Sequence, residues 1–354
     1  MASAASQEAP AREGPVPDDE VLTPTPQILA MEILKGTGSL LTSVASSIYQ
    51  YRQENGLTYH AYKDGGEFKW YTSPIGDEQL ISTEYKEYPY PNNEQELDRL
   101  DLQHNLFSLT LDSKLYTAPI SKNPQEVLDI GTGTGIWAME FADKFPSAFN
   151  SVPPNLTFEI DDSNDEWTYH RNFDYIHCRQ LHCAVEEHHL FDQAFKALKP
   201  GGWIEMQEAA FPLACDDSSF PETSALRRWG NLMVEASTAL HQELDKPSKY
   251  EDWIRQKGFA NVRGTLYKWP TNQWPKDPVE KQKGLWTLAN ITQGLYANTV
   301  GLFTRGLGWN REEVEVFLVD VRKQLQDRKI HAYFPIYVVY GQKPLEAGTE
   351  AATE

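Results

Sequence analysis

Three glycines at alternate positions, Gly131, Gly133 and Gly135, constrain this chain more than any other feature. They follow an aliphatic run at 127–130 that reads as a short buried strand. They precede apolar residues at Ile136, Met139, Phe141, Ala142 and Phe145, whose spacing predicts a helix. A strand, a glycine turn and a helix N-terminus together let backbone N–H groups and the helix dipole approach a ligand closely. The phase of the glycines narrows the ligand. A dinucleotide fingerprint, G-x-G-x-x-G, would need glycine at 136, where this chain has Ile136. The pattern here is D-x-G-x-G-x-G, with Asp129 just ahead of the turn, so a nicotinamide-dependent oxidoreductase fails on phase.

Elements alternate on the C-terminal side of that turn. Strands are expected at 155–160 (ending in Asp161-Asp162), 173–178 and 203–208, with a helix at 187–198 stopped by Lys-Pro-Gly-Gly. This order implies a doubly wound parallel sheet with its ligand at the C-terminal strand ends. Segments 222–257 and 279–328 read as helical insertions, 259–269 as a strand and 333–340 as a last strand rich in β-branched and aromatic residues. On the N-terminal side, 1–25 lacks large apolar residues and is expected to be disordered, as is the tail 344–354. Residues 26–120 read as a cap: a broken helix within 27–50, an aromatic-rich layer from 48 that covers the main domain or stacks on a flat ligand, and a helix over 91–111. The main domain is placed at 121–343.

Composition excludes several roles. A net charge of −19 repels phosphate backbones and disfavours direct nucleic-acid binding. No run of apolar residues is long enough for a membrane span. Three cysteines (Cys178, Cys183, Cys215) supply neither a disulfide framework nor a zinc set, and His188-His189 has no spaced partner, so no metal site is expected. The reading is a cytoplasmic protein, able to enter the nucleus only with a partner.

Several further segments make a specific resemblance: YHAYK at 59–63, ELDRLDLQH at 96–104, the glycine segment at 127–142 and VPPNLTFEIDD at 152–162. They continue with 173–179, LKPGG at 198–202, Gln207-Glu208, Gly308-Trp309, REEV at 311–314 and 331–341. Together these resemble the fungal LaeA-like methyltransferases over roughly residues 48–343. The resemblance implies a Rossmann-like class I methyltransferase sheet, mostly parallel with the last strand antiparallel. It implies S-adenosylmethionine as cofactor and Asp129, Gly131, Gly133 and Gly135 as cofactor-binding residues. Two functions follow: methylation of a small molecule in fungal secondary metabolism, or a regulatory or scaffold role through velvet-type protein partners.

One segment departs from the family. Its members carry a second strand after the glycine helix, ending in an acid that binds the ribose hydroxyls. Here about a dozen residues are absent, 145–151 runs straight into Val-Pro-Pro, and 144–158 contains no acid. An empty internal slot would orphan backbone groups on both neighbouring strands. The expectation is that 156–160 slides into the slot beside 127–130, placing Asp161 or Asp162 at the ribose. The alternative leaves both acids near the adenine position, with ribose binding lost. No motif fixes a catalytic base. His104, His177 and His182 are candidates by residue type, with structural packing as the competing role of each, and Glu205 and Glu208 are candidates for orienting the substrate.

Overall fold

The computed structural model describes residues 27–33, 52–59, 94–144, 156–161 and 163–345. A seven-stranded sheet runs through the molecule. Its strands are β1 (Gln27–Ile33), β4 (Glu126–Ile130), β5 (Leu156–Asp161), β6 (Phe173–Arg179), β7 (Leu198–Ala209), β8 (Ala260–Pro270) and β9 (Tyr333–Gln342), in the spatial order β5-β1-β4-β6-β7-β9-β8. The first five lie parallel, and β9 is antiparallel to both of its neighbours. β2 (Arg52–Glu54) and β3 (Leu57–Tyr59) form a separate hairpin, from which Glu54 pairs with Arg305 at 2.5 Å.

β4 and β6 are covered on both faces, so their residues are buried almost without interruption, polar Asp129 and His177 included. On one side pack α2 (Ile136–Asp143), whose Trp137, Phe141 and Ala142 are buried, and on the other α3 (Glu187–Ala197) and α5 (Tyr250–Gln256). A second helical body sits over the C-terminal strand ends: α1 (Glu94–Thr110), α4 (Ala225–Ala239), α6 (Pro278–Leu307) and α7 (Arg311–Leu325). Asn310 opens α7 with a full capping box to Glu313. Trp229, Phe303 and Leu302 are fully buried in this body, so the insertions form a true core joined to the sheet rather than an ornament on it.

The slot beside β4 is filled, though not as the sequence suggested. β5 pairs with β1, and β1 with β4: Leu29 stands opposite Leu128 on one side and Thr157 on the other. The expectation that 156–160 lies against 127–130 is therefore wrong, and so is the helix expected within 27–50, at least over Gln27–Ile33. The physical premise survives: an internal slot does not stay empty. The occupant is the N-terminal aliphatic run QILAMEI, which supplies both ladders that β4 and β5 need. The tails expected to be disordered at 1–25 and 346–354 lie outside the described residues, as does the aromatic stretch from 60 to 93.

Candidate active site

The C-terminal ends of the parallel strands converge on two adjoining cavities. The first opens on the glycine turn and is lined by Asp129, Gly131, Thr132, Gly133, Thr134, Trp137 and neighbours on β6 and α1, enclosing about 590 Å³ with its mouth. Gly131, Gly133 and Gly135 all hold positive φ (70°, 56° and 78°), the reason the turn needs glycine. At Gly135 a Cβ would also lie 2.8 Å from the Phe158 ring of β5. The turn is fixed from α1, whose Asp101 Oδ1 accepts the Thr134 hydroxyl at 2.7 Å.

Asp129 and His177 are opposite each other in the β4–β6 register, and His177 Nδ1 lies 2.7 Å from Asp129 Oδ1. The imidazole stacks on the Trp137 indole, centroids 3.7 Å apart and planes within 3°. Burial lowers the His177 pKa to about 4 despite the upward pull of Asp129. The ring is neutral at working pH, and its Nδ1–H donates to the carboxylate. Asp129 Oδ2 and Thr132 Oγ1 are buried with no hydrogen-bond partner among the described residues. Two partnerless oxygens facing a cavity at a glycine turn fit the ammonium and hydroxyl groups of a ligand such as S-adenosylmethionine. Asp161 ends β5, two strands out from β4, so it does not occupy the slot's end; Asp162 lies outside the described residues.

His104 is brought to the same region and given a different task. Arg179 Nη1 donates to its Nδ1 at 3.0 Å, and its Nε2 lies 3.1 Å from Glu140. Burial and the Arg179 charge lower its pKa, so it is a neutral link between α1, β6 and α2 rather than a base. Arg179 also donates to Gln207 at 2.8 Å and lies over the Phe107 ring; burial lowers its pKa to about 10, which leaves it a cation. Glu205 turns out to be structural too. It accepts Thr117 N–H, Ala118 N–H and the Gln207 amide at 2.6–3.0 Å, tying the segment after α1 to β7.

The second cavity encloses about 750 Å³ between α1, α4, α6 and the sheet. Phe211, Trp229, Trp269 and Phe334 form its aromatic walls. The two indole N–H groups are tied off by Thr299 and Thr110 at 3.0 and 2.7 Å, so the rings present apolar faces. Its charges are mutually compensated: Arg99 is bidentate to Glu96 at 2.6 and 2.8 Å and reaches Asn290 at 2.9 Å. His182 also lines it, with Nδ1 2.9 Å from Glu208. Leu100, Gln103 and Gln180 line both cavities and form their common wall. Sequence reasoning missed Arg179, Gln180, Gln103 and Arg99. Only the first two carried a signal, their position at the end of a strand beside the glycine strand and just past it. No group of three or more His, Cys, Asp or Glu among the described residues could hold a metal, and no described helix is long and apolar enough to cross a membrane.

Comparison with known proteins agrees with this architecture. A family model described as a methyltransferase domain matches residues 102–263. The probable methyltransferase tdiE of Emericella nidulans is 43% identical over 270 residues, spanning 73% of this chain and 85% of that protein. The methyltransferase pytC of Aspergillus terreus is 33% identical over 321 residues, 87% of this chain and 93% of its own length. The secondary metabolism regulator LAE1 of Cochliobolus heterostrophus is 32% identical over 310 residues, 82% and 94% respectively.

Proposed function

Since the chain belongs to the LaeA-like family of S-adenosylmethionine-dependent methyltransferases of fungal secondary metabolism, we propose that it methylates a small aromatic molecule held in the second cavity. The observation that carries this reading is the common wall. Leu100, Gln103 and Gln180 are shared by the cavity at the glycine turn and the aromatic one, so ligands in the two would meet there. S-adenosylmethionine supplies a methyl group on a sulfonium, which a nucleophile displaces in line. Asp129 and the turn residues would hold its amino-acid end. The chain's main contribution is alignment and exclusion of water. Compensated charge and tied-off indoles favour an uncharged, flat acceptor over a protein side chain.

Titration calorimetry with S-adenosylmethionine and S-adenosylhomocysteine tests the donor site. Micromolar binding that Asp129→Asn weakens at least tenfold supports it; no binding by folded protein overturns it. The likeness to LAE1, a secondary metabolism regulator, favours a second reading, a regulatory role. Its signature is donor binding without turnover of any aromatic acceptor.

A further inference from the structure

A flat ring held by apolar walls alone would slide and turn, so transfer to one of its atoms needs polar contacts that fix it. Most polar groups on the aromatic cavity already have partners. Arg99 satisfies Glu96 and Asn290, the Thr287 hydroxyl donates to the Lys283 carbonyl at 2.9 Å, and both indoles are tied off. Two amides on its wall differ. Gln180 Nε2 and Asn298 Oδ1 are buried without a hydrogen-bond partner among the described residues. The first is a donor and the second an acceptor.

Their places in the fold give them separate tasks. Gln180 follows β6 and lines both cavities, whereas Asn298, on α6, lines the aromatic one and not the glycine-turn one. Gln180 is held in position by its backbone, which keeps a left-handed φ of 55° and donates its N–H to the Gln207 carbonyl at 3.1 Å. Strain of this kind gathers at functional sites. α6 makes room for the other amide one turn earlier, at Gly294. A Cβ there would lie 2.8 Å from Asn298 Nδ2 and 2.8 Å from Arg99 Cδ. Leaving a buried amide unpaired costs stability, and a leucine of much the same shape as Asn298 would avoid that cost. A ligand accounts for the two orphaned atoms where packing does not.

We propose that Gln180 and Asn298 determine the specificity of the acceptor site. Gln180 Nε2 donates to an oxygen at the end of the acceptor that meets the cofactor, and Asn298 Oδ1 accepts an N–H or O–H from the remainder of the molecule. The inference rests on the reading of the second cavity as the acceptor site. It narrows the substrate to a neutral, flat aromatic that carries both an accepting oxygen and a separate donor. A ring lacking either group leaves one amide unpaired and is selected against.

The test follows quenching of Trp229 and Trp269 fluorescence in full-length protein saturated with S-adenosylhomocysteine. 4-Nitrophenol, buffered below its own pKa, offers nitro oxygens to Gln180 and an O–H to Asn298. 4-Nitrotoluene has the same shape without the donor. 4-Isopropylphenol, followed by its displacement of 4-nitrophenol, lacks the accepting oxygens. Asn298→Leu should lower the ratio of 4-nitrophenol to 4-nitrotoluene affinity about tenfold, the worth of one hydrogen bond. Gln180→Asn suits the left-handed backbone but shortens the amide, and should lower the ratio of 4-nitrophenol to 4-isopropylphenol affinity severalfold. A merely structural role would weaken all three probes alike and leave both ratios within about twofold of the wild type, which overturns the proposal. Calorimetry on the same samples separates the two levels. If S-adenosylhomocysteine binds and the probes bind with unchanged ratios, only the role of the two amides falls. If it binds and no probe does, the acceptor-site reading falls as well. Should either variant fail to fold, Asn298→Ala and Gln180→Gly provide the same comparisons.

Discussion

Asp129 and His177 show how one residue of the site depends on another far along the chain. The imidazole is neutral because it is buried, and it is buried because β4, β6 and Trp137 enclose it. With a folded pKa of about 4 against an ordinary 6.5, the unfolded chain binds a proton between those values that the folded chain does not. Stability therefore falls as pH drops from about 6.5 to about 4, and this group adds no further loss below that. Urea unfolding across this window should show the slope, and His177→Gln should flatten it; an unchanged slope would mean the ring is not held neutral. Gln180 illustrates strain kept for use. Replacing it with glycine relieves a left-handed φ of 55° and should stabilise the fold by about 1 kcal/mol. The same change removes an amide whose Nε2 is buried without a partner among the described residues, between the two cavities, so affinity for S-adenosylhomocysteine should fall. Thermal melts and calorimetry on one preparation check both halves.

Among the elements, β1 has the most consequence. A strand from residues 27–33 completes a sheet whose neighbours are β4 and β5, so the glycine strand leans on a segment about a hundred residues upstream of it. Leu29→Pro removes a ladder donor in the middle of this internal strand and leaves a buried carbonyl unpaired, at a cost of about 1–3 kcal/mol. Chemical denaturation should show that loss, with weaker donor binding because the turn at Gly131 loses its lateral support. An unchanged midpoint would place the segment outside the sheet. α1 carries a different load. It contributes Asp101 to the glycine turn, His104 to the Arg179 link, and Leu100 and Gln103 to the shared wall. One helix thus couples the donor end of the molecule to the acceptor end.

At the scale of the whole molecule, the sheet lines the cavity at the glycine turn and the helical body the aromatic one, and the two share Leu100, Gln103 and Gln180 as a common wall. Filling the second without touching the first separates them. Met233 lines the aromatic cavity from α4 and lies away from the glycine turn. Met233→Trp should therefore abolish fluorescence quenching by 4-nitrophenol while leaving S-adenosylhomocysteine affinity within about twofold, since distant sites behave independently. Loss of both would show that the cavities are not separable.

What the sequence determined by itself is local. The three glycines dictated a left-handed turn, because only glycine takes those φ values freely, and the aliphatic run before them dictated a buried strand. Strand and helix alternation gave β6 and α3 nearly to the residue and the second half of β7, which begins at Leu198 and takes in the Lys-Pro-Gly-Gly run read as a helix stop, and Asp129 was legible as the acid facing the turn. What only the tertiary structure decided is who stands beside whom. Periodicity specifies which face an element buries; it carries no address for its neighbour, so the missing strand's slot went to Gln27–Ile33 rather than to Leu156–Asp161. The histidines were equally opaque as a set. Each looked alike in sequence, and their roles parted only when burial, Arg179, Asp129 and Glu208, 26 to 75 positions away in the chain, came within hydrogen-bond reach. Local chemistry is written in neighbouring residues. Electrostatic role is written in long-range contacts, and only the folded sheet with its helical body brings those together.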